Sequence, residues 1–142
     1  MELRTDKIRA CFDRKIGNFT ELWNLSTNTN YVRCASRDPL IELYGLKNGE
    51  RVKLSGHISD VAEAPDALIL SYDSFGEYDV SAKVTCRCEQ DRLVFSAEIC
   101  NHSTIDVTEI LMPHLGGIYL GNGQKDYLIY PHHAGDKTED PV

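Results

Sequence analysis

Three imidazoles and a carboxylate gather in the C-terminal third of the chain: His114, His132, His133 and Asp126. Neutral imidazole nitrogens and carboxylate oxygens are ligands that zinc and iron accept, so this is the first candidate for a metal centre. The spacing opposes it. Adjacent side chains on an extended segment point to opposite faces, which keeps His132 and His133 from sharing one ion. No metal-ligand signature is present either. The expectation is structural or surface histidines, with no metal and no cofactor.

Cys86-Arg87-Cys88 offers two thiols at a spacing of two. On a strand that spacing turns both sulfurs to one face, here the face of Ala82 and Val84, where they pack as small apolar groups. A nucleophilic thiol needs a base and an electropositive setting, and the sequence shows neither. Carboxylates are plentiful, including Glu77, Asp79, Glu98 and Asp106. Glycoside hydrolysis would need two of them on opposite sides of a scissile bond. Sequence ranks none above the others, and each fits a solvated charge on an outer strand face. Trp23, Tyr31, Tyr119, Tyr127 and Tyr130 have the apolar faces and polar edges that stack on sugar rings, and equally suit the core and rim of a β-fold.

These residues sit on elements whose clearest pattern runs from Tyr78 to Cys100. Val80, Ala82, Val84, Cys86 and Cys88 share one face, and Ser81, Lys83, Thr85, Arg87 and Glu89 the other. After Glu89-Gln90-Asp91, Leu93, Phe95, Ala97 and Ile99 again alternate with Arg92, Ser96 and Glu98, with Val94 the exception. A period of two on either side of a short polar turn predicts an antiparallel hairpin with one dry face. Leu68 to Tyr72 predicts a third strand between turn signals. Ile8 to Phe12 and Phe19 to Trp23 predict strands around Gly17, which suits a positive φ. Tyr31 to Cys34, Leu40 to Tyr44 and Arg51 to Ile58 read as further short strands, the last two joined through Asn48-Gly49 as a type I′ turn. Asp106 to Met112, Gly117 to Leu120 and Asp126 to Tyr130 follow. No segment carries a capped helical repeat. The fold class expected is all-β, an antiparallel β-sandwich over residues 1–135, with a polar, frayed tail over 136–142.

A chain of 142 residues fits one domain with a core of its own. Its net charge of -7 argues against nucleic acid and anionic membrane as partners. No apolar run reaches the length of a spanning helix, and the first nine residues lack the apolar centre of a signal peptide. Five cysteines, odd in number and irregularly spaced, suit reduced thiols packed as small core hydrophobes in a cytoplasmic protein. The Asn-x-Ser/Thr triplets at Asn18, Asn24 and Asn101 are read as chance.

Four segments together carry a resemblance: Phe12-Asp-Arg-Lys-Ile-Gly-Asn-Phe19, Glu98-Ile-Cys-Asn101, Leu111-Met-Pro-His-Leu-Gly-Gly-Ile118 and Asp126-Tyr-Leu-Ile-Tyr-Pro-His-His-Ala-Gly135. They are similar to segments of the N-terminal β-supersandwich, galactose-mutarotase-like in fold, of bacterial glycoside hydrolases. The resemblance implies a sandwich that continues into further strands and a (β/α)8 barrel bearing the acid and base carboxylates, so no catalytic residue carries over to this chain. It implies a sugar-facing surface to which His114, Asp126 and His132 contribute. A sandwich lacking its neighbours exposes strand edges, and a homo-oligomer is the expected remedy.

Three functions fit these readings. The first is a non-catalytic accessory domain related to carbohydrate-active enzymes, contacting sugar. The second is a stand-alone mutarotase-like enzyme in which His114 and Glu98 exchange protons at an anomeric centre. The third is a protein-interaction module that pairs an exposed sheet edge with a partner strand.

Overall fold

In the computed structural model, residues 1–119 are described in full, together with the backbone of residues 127–130 and 136–139. Among the described residues every regular element is a strand and every strand pairing is antiparallel. The first sheet holds β1 (Glu2–Arg4), β2 (Ile8–Phe12), β3 (Phe19–Asn24) and β4 (Thr29–Asn30) in chain order. A second is built from β5 (Glu42–Lys47) and β6 (Glu50–Leu54), with β11 (Asp106–Leu111) on the free side of β5. The third runs β10-β9-β8-β7, from β7 (Asp60–Glu63), β8 (Ala67–Tyr72), β9 (Val80–Glu89) and β10 (Arg92–Asn101). A separate pair joins β12 (Tyr127–Tyr130) to β13 (Asp136–Glu139).

The sandwich follows from the period of two. Along β9 burial alternates without exception, with Val80, Ala82, Val84, Cys86 and Cys88 inside. Its register with β10 is unbroken from Glu89↔Arg92 to Val80↔Asn101, so Phe95 and Ile99 fall on the same face. Leu68, Leu70 and Tyr72 of β8 extend that face, and all three larger sheets turn apolar residues into one core. Phe19 of β3 links two of them: its ring lies 4.9 Å from Phe12 and edge-on to Phe95 at 6.2 Å. Burying side chains of this size stabilises a fold by roughly 1.5–3 kcal/mol each.

The turns obey local chemistry. Asn48 and Gly49 take φ of 54° and 83° between the paired residues Lys47 and Glu50, the type I′ geometry their sequence predicts. Gly17 takes φ of 72°, and a Cβ there would lie 2.6 Å from Leu70 Cδ1, so both backbone and space require glycine.

Elsewhere the expected strands shift. Tyr31 to Cys34 form no strand, and neither do residues 117–119 of the expected strand Gly117 to Leu120, whose last residue lies outside the described residues; a bridge between Val32 and Ile118 joins the two. The strand lies instead at Thr29–Asn30, in the polar stretch Ser26-Thr-Asn-Thr-Asn30 just ahead of the expected one. Asn30 explains the change, because its Oδ1 accepts the N–H groups of Leu22 (3.1 Å) and Val32 (3.1 Å), doing with a side chain what a longer strand would do with carbonyls. Short polar β1 and β7 carry too little apolar signal to be anticipated. Asp136–Glu139 pairs as β13 in a stretch expected to fray, since ladder bonds are made by backbone whatever the side chains. Cys86 and Cys88 are core residues as expected, whereas Cys34 and Cys100 are exposed and Cys11 is half-buried. Apolar character alone does not place a thiol.

Candidate functional site

His114 is the one of the three expected sugar-facing residues that lies within the described residues; Asp126 and His132 fall outside them, as does His133. Its backbone is clamped from both sides. The N–H donates to Leu40 O at 2.8 Å, and the carbonyl accepts from Asn18 Nδ2 at 2.8 Å. Its Nδ1 is buried and lies 3.5 Å from Glu42 Oε1, within reach of an ion pair but without a hydrogen bond.

Glu42 is the centre of this cluster. Only 4% of its side chain is exposed, although it sits on a strand between Ile41 and Leu43. A buried carboxylate needs partners, and the neighbouring strand and its own strand supply one each. Lys53 Nζ of β6 donates to Oε1, and Tyr44 OH of β5 donates to Oε2 at 3.0 Å. Burial alone would push the Glu42 carboxyl up, but the hydrogen bonds from Lys53 and Tyr44, with the charge of Lys53, hold it below the ordinary carboxylate range. The same bond raises Lys53. Beside them Arg51 stacks on Tyr44, its Cζ 3.6 Å from the ring centroid, and donates to Glu109 Oε2 through Nε (3.2 Å) and Nη2 (2.9 Å). An ionised, hydrogen-bonded carboxylate is a fixed charge and not a general acid at neutral pH.

A second cluster forms where β2 begins and β3 ends. Trp23 and Tyr31, both half-buried, line one pocket of about 220 Å³ together with Asn24, Ser26, Lys7 and Asp91. The indole is fixed, because Trp23 Nε1 donates to Glu21 Oε2 at 2.8 Å and Arg9 Nη1 holds the same oxygen at 3.0 Å. Tyr31 is fixed through its backbone, donating to Leu22 O at 2.8 Å and accepting from Tyr119 N at 2.6 Å. Asn24 Oδ1 accepts from Ser26 N (3.0 Å) and Thr27 N (3.2 Å), which shapes the rim. Ile8 and Leu22 make the rest of the lining apolar, and Lys7 pairs with Asp91 at 3.8 Å, so the pocket offers a polyol apolar and aromatic surface for stacking with amide, hydroxyl and charged groups at its edge for hydrogen bonding. Tyr119 joins this cluster through its backbone only, and its ring centroid lies 3.2 Å from Arg33 Cζ.

The carboxylates considered for catalysis are dispersed. Glu77 pairs with Lys47 at 2.7 Å, Glu98 is exposed on β10 opposite Lys83, and Asp106 is exposed on β11 opposite Leu46. Asp79 is exposed beside β9, its carbonyl accepting from His102 N. His114 meets Glu42 rather than Glu98. Sequence reasoning passed over Glu42, Lys53 and Asn18; the signal for the first was a lone carboxylate inside the apolar run Leu40 to Tyr44, since glutamate is seldom buried unpaired. Among the described residues no group of three or more His, Cys, Asp or Glu side chains converges as a metal site, and no helix is long and apolar enough to cross a membrane.

Fold and pockets together define an all-β, antiparallel sandwich domain with small, mainly apolar surface pockets edged by polar groups. No protein-family model, curated protein or solved structure matches this chain.

Proposed function

We propose that this chain is a non-catalytic accessory β-sandwich domain of the kind that accompanies glycoside hydrolases, and that it contacts sugar in the pocket of Trp23 and Tyr31. The observation that carries the reading is the convergence of these two aromatics, the Trp23 indole held by its own hydrogen bond and Tyr31 placed by its backbone, around one small pocket with polar groups at its rim. A held indole loses little freedom on binding, which favours a stacked ligand. The resemblance of Phe12 to Phe19 and of Leu111 to Ile118 to segments of glycoside-hydrolase sandwiches supports the same choice of ligand class.

Trp23 is the sole tryptophan of the chain, so its fluorescence reports on this pocket alone. A glycan array probed with the native protein and with Trp23→Ala tests the proposal, followed by fluorescence titration with any glycan retained. The expected result is binding by the native chain, a saturable change in emission, and loss on substitution. An empty array, or equal binding by both proteins, removes the sugar reading.

A further inference from the structure

The chain carries a net charge of -7, yet one surface pocket inverts that sign. This pocket, of about 240 Å³, is bounded by Lys15 from the turn before β3, Arg37 from the loop before β5, and Lys53 of β6, with Glu42 as its one carboxylate. Glu42 is already committed to Lys53. Among the described residues neither Lys15 nor Arg37 has an ion-pair partner, so two cations face the pocket uncompensated. Neighbouring Asp38 does not line it, although its charge reaches Lys53. His57 and the backbone of Gly56 complete the rim. Gly56 is pressed so closely on Phe75 that a Cβ would lie 2.5 Å from the ring. That contact fixes the rim in place.

A second, independent observation comes from Tyr72, which lines the same pocket. The residue is 2% exposed, and its buried hydroxyl has no hydrogen-bond partner among the described residues. A buried polar group left unpaired costs free energy, and such groups in a native fold point to a missing partner. Burial pushes this phenol up to about 12, so at neutral pH it is a donor in want of an acceptor. Three cations, one orphan O–H and apolar walls that include Pro39 and Ile41 together make a setting that suits a small anion, because charge interacts more strongly beside low-dielectric surface.

We propose that this pocket is an anion site, taking a small carboxylate or phosphate between Lys15 and Arg37, with Lys53 paired to Glu42 behind them and the Tyr72 hydroxyl as a neutral donor. The site is distinct from the Trp23 pocket and does not depend on the sugar reading.

Amide NMR titration at low ionic strength tests it, using inorganic phosphate, acetate and, as a neutral control, glucose. Phosphate or acetate should shift the amides of residues 53–57 saturably and glucose should not; which of the two binds more tightly tells phosphate from carboxylate. Lys15 and Arg37 are exposed, so Lys15→Gln with Arg37→Gln leaves the core untouched and should weaken the anion about tenfold or more, as expected for losing charge-assisted bonds. Tyr72→Phe keeps the ring and should weaken it severalfold. Trp23→Ala should leave it unchanged. Anion binding equal in the native and doubly substituted proteins, equal shifts from glucose, or no saturable shift from either anion would overturn the site.

Discussion

Asn18 Nδ2 donates to the carbonyl oxygen of His114 at 2.8 Å, joining residues 96 positions apart. Asn18 is wholly buried, and its second amide hydrogen goes to Asp38 O at 3.0 Å while its Oδ1 accepts from Phe19 N at 2.9 Å. One side chain thus satisfies three backbone groups and ties the turn before β3 to the segment that carries the imidazole against Glu42. Buried amides with every bond made specify a single arrangement, since any other leaves polar groups dry and unpaired.

Asn18→Ala should therefore lower the free energy of unfolding by about 2–4 kcal/mol, the cost of leaving buried backbone groups unpaired. Urea denaturation followed by far-UV dichroism measures this, with the slope unchanged if the native fold persists. A loss under about 1 kcal/mol would mean that water reaches the freed carbonyls.

Tyr72→Phe should act in the opposite direction. Removing a buried hydroxyl without a partner relieves a desolvation penalty of about 1–3 kcal/mol. The expected gain is a rise in Tm of roughly 2–4 °C per kcal/mol, read by calorimetry in buffer free of phosphate and carboxylate. A fall in Tm would show the hydroxyl to be bonded.

Acid should find Glu42. Its folded-state pKa is depressed below the ordinary 4.5, so its contribution to stability is complete above 4.5 and is lost as pH falls through the folded value. Lys53 behaves in mirror image: its raised pKa contributes fully below 10.5 and is lost as pH rises through the folded value. Tm measured against pH should decline at both ends, and Glu42→Gln should flatten the acid limb. An unchanged acid limb in that variant would assign acid sensitivity to other carboxylates.

Gly117 has φ of 71°, and a Cβ on it would lie 2.0 Å from the carbonyl oxygen of Cys34. Gly117→Ala should cost about 1–3 kcal/mol or more from backbone strain and clash. It should also disturb Tyr31, because the bridge at Val32 and Ile118 and the bond from Tyr119 N to Tyr31 O depend on that close approach. Weaker glycan binding with Trp23 intact would reveal the link; native affinity in a destabilised variant would break it.

The period of two was legible because it is a one-dimensional pattern. Val80 to Cys88 and Leu93 to Ile99 state which faces are dry, Asn48-Gly49 states a turn, and Gly17 a positive φ, since each depends on a residue and its immediate neighbours. Strand positions in Thr29–Asn30, Glu2–Arg4 and Asp60–Glu63 were hidden although their partners lie close by in the chain, because these short polar segments pair through backbone groups and carry no apolar alternation to reveal it. The sites were hidden more deeply. Trp23 and Tyr31 were visible as aromatics but their shared pocket was not, and His114 drew attention while its partner Glu42 did not.

Local residue order therefore determined which surfaces this protein buries and where its chain turns, because a side chain's direction on a strand follows from its own backbone. Only the tertiary structure decided that Glu42 meets Lys53 and His114, that Asn18 reaches His114 and that Lys15 and Arg37 face one pocket. Those meetings depend on strand register for Glu42, set across β5 by β6 on one side and by the distant β11 on the other, and on loops brought together over the core for Asn18, Lys15 and Arg37.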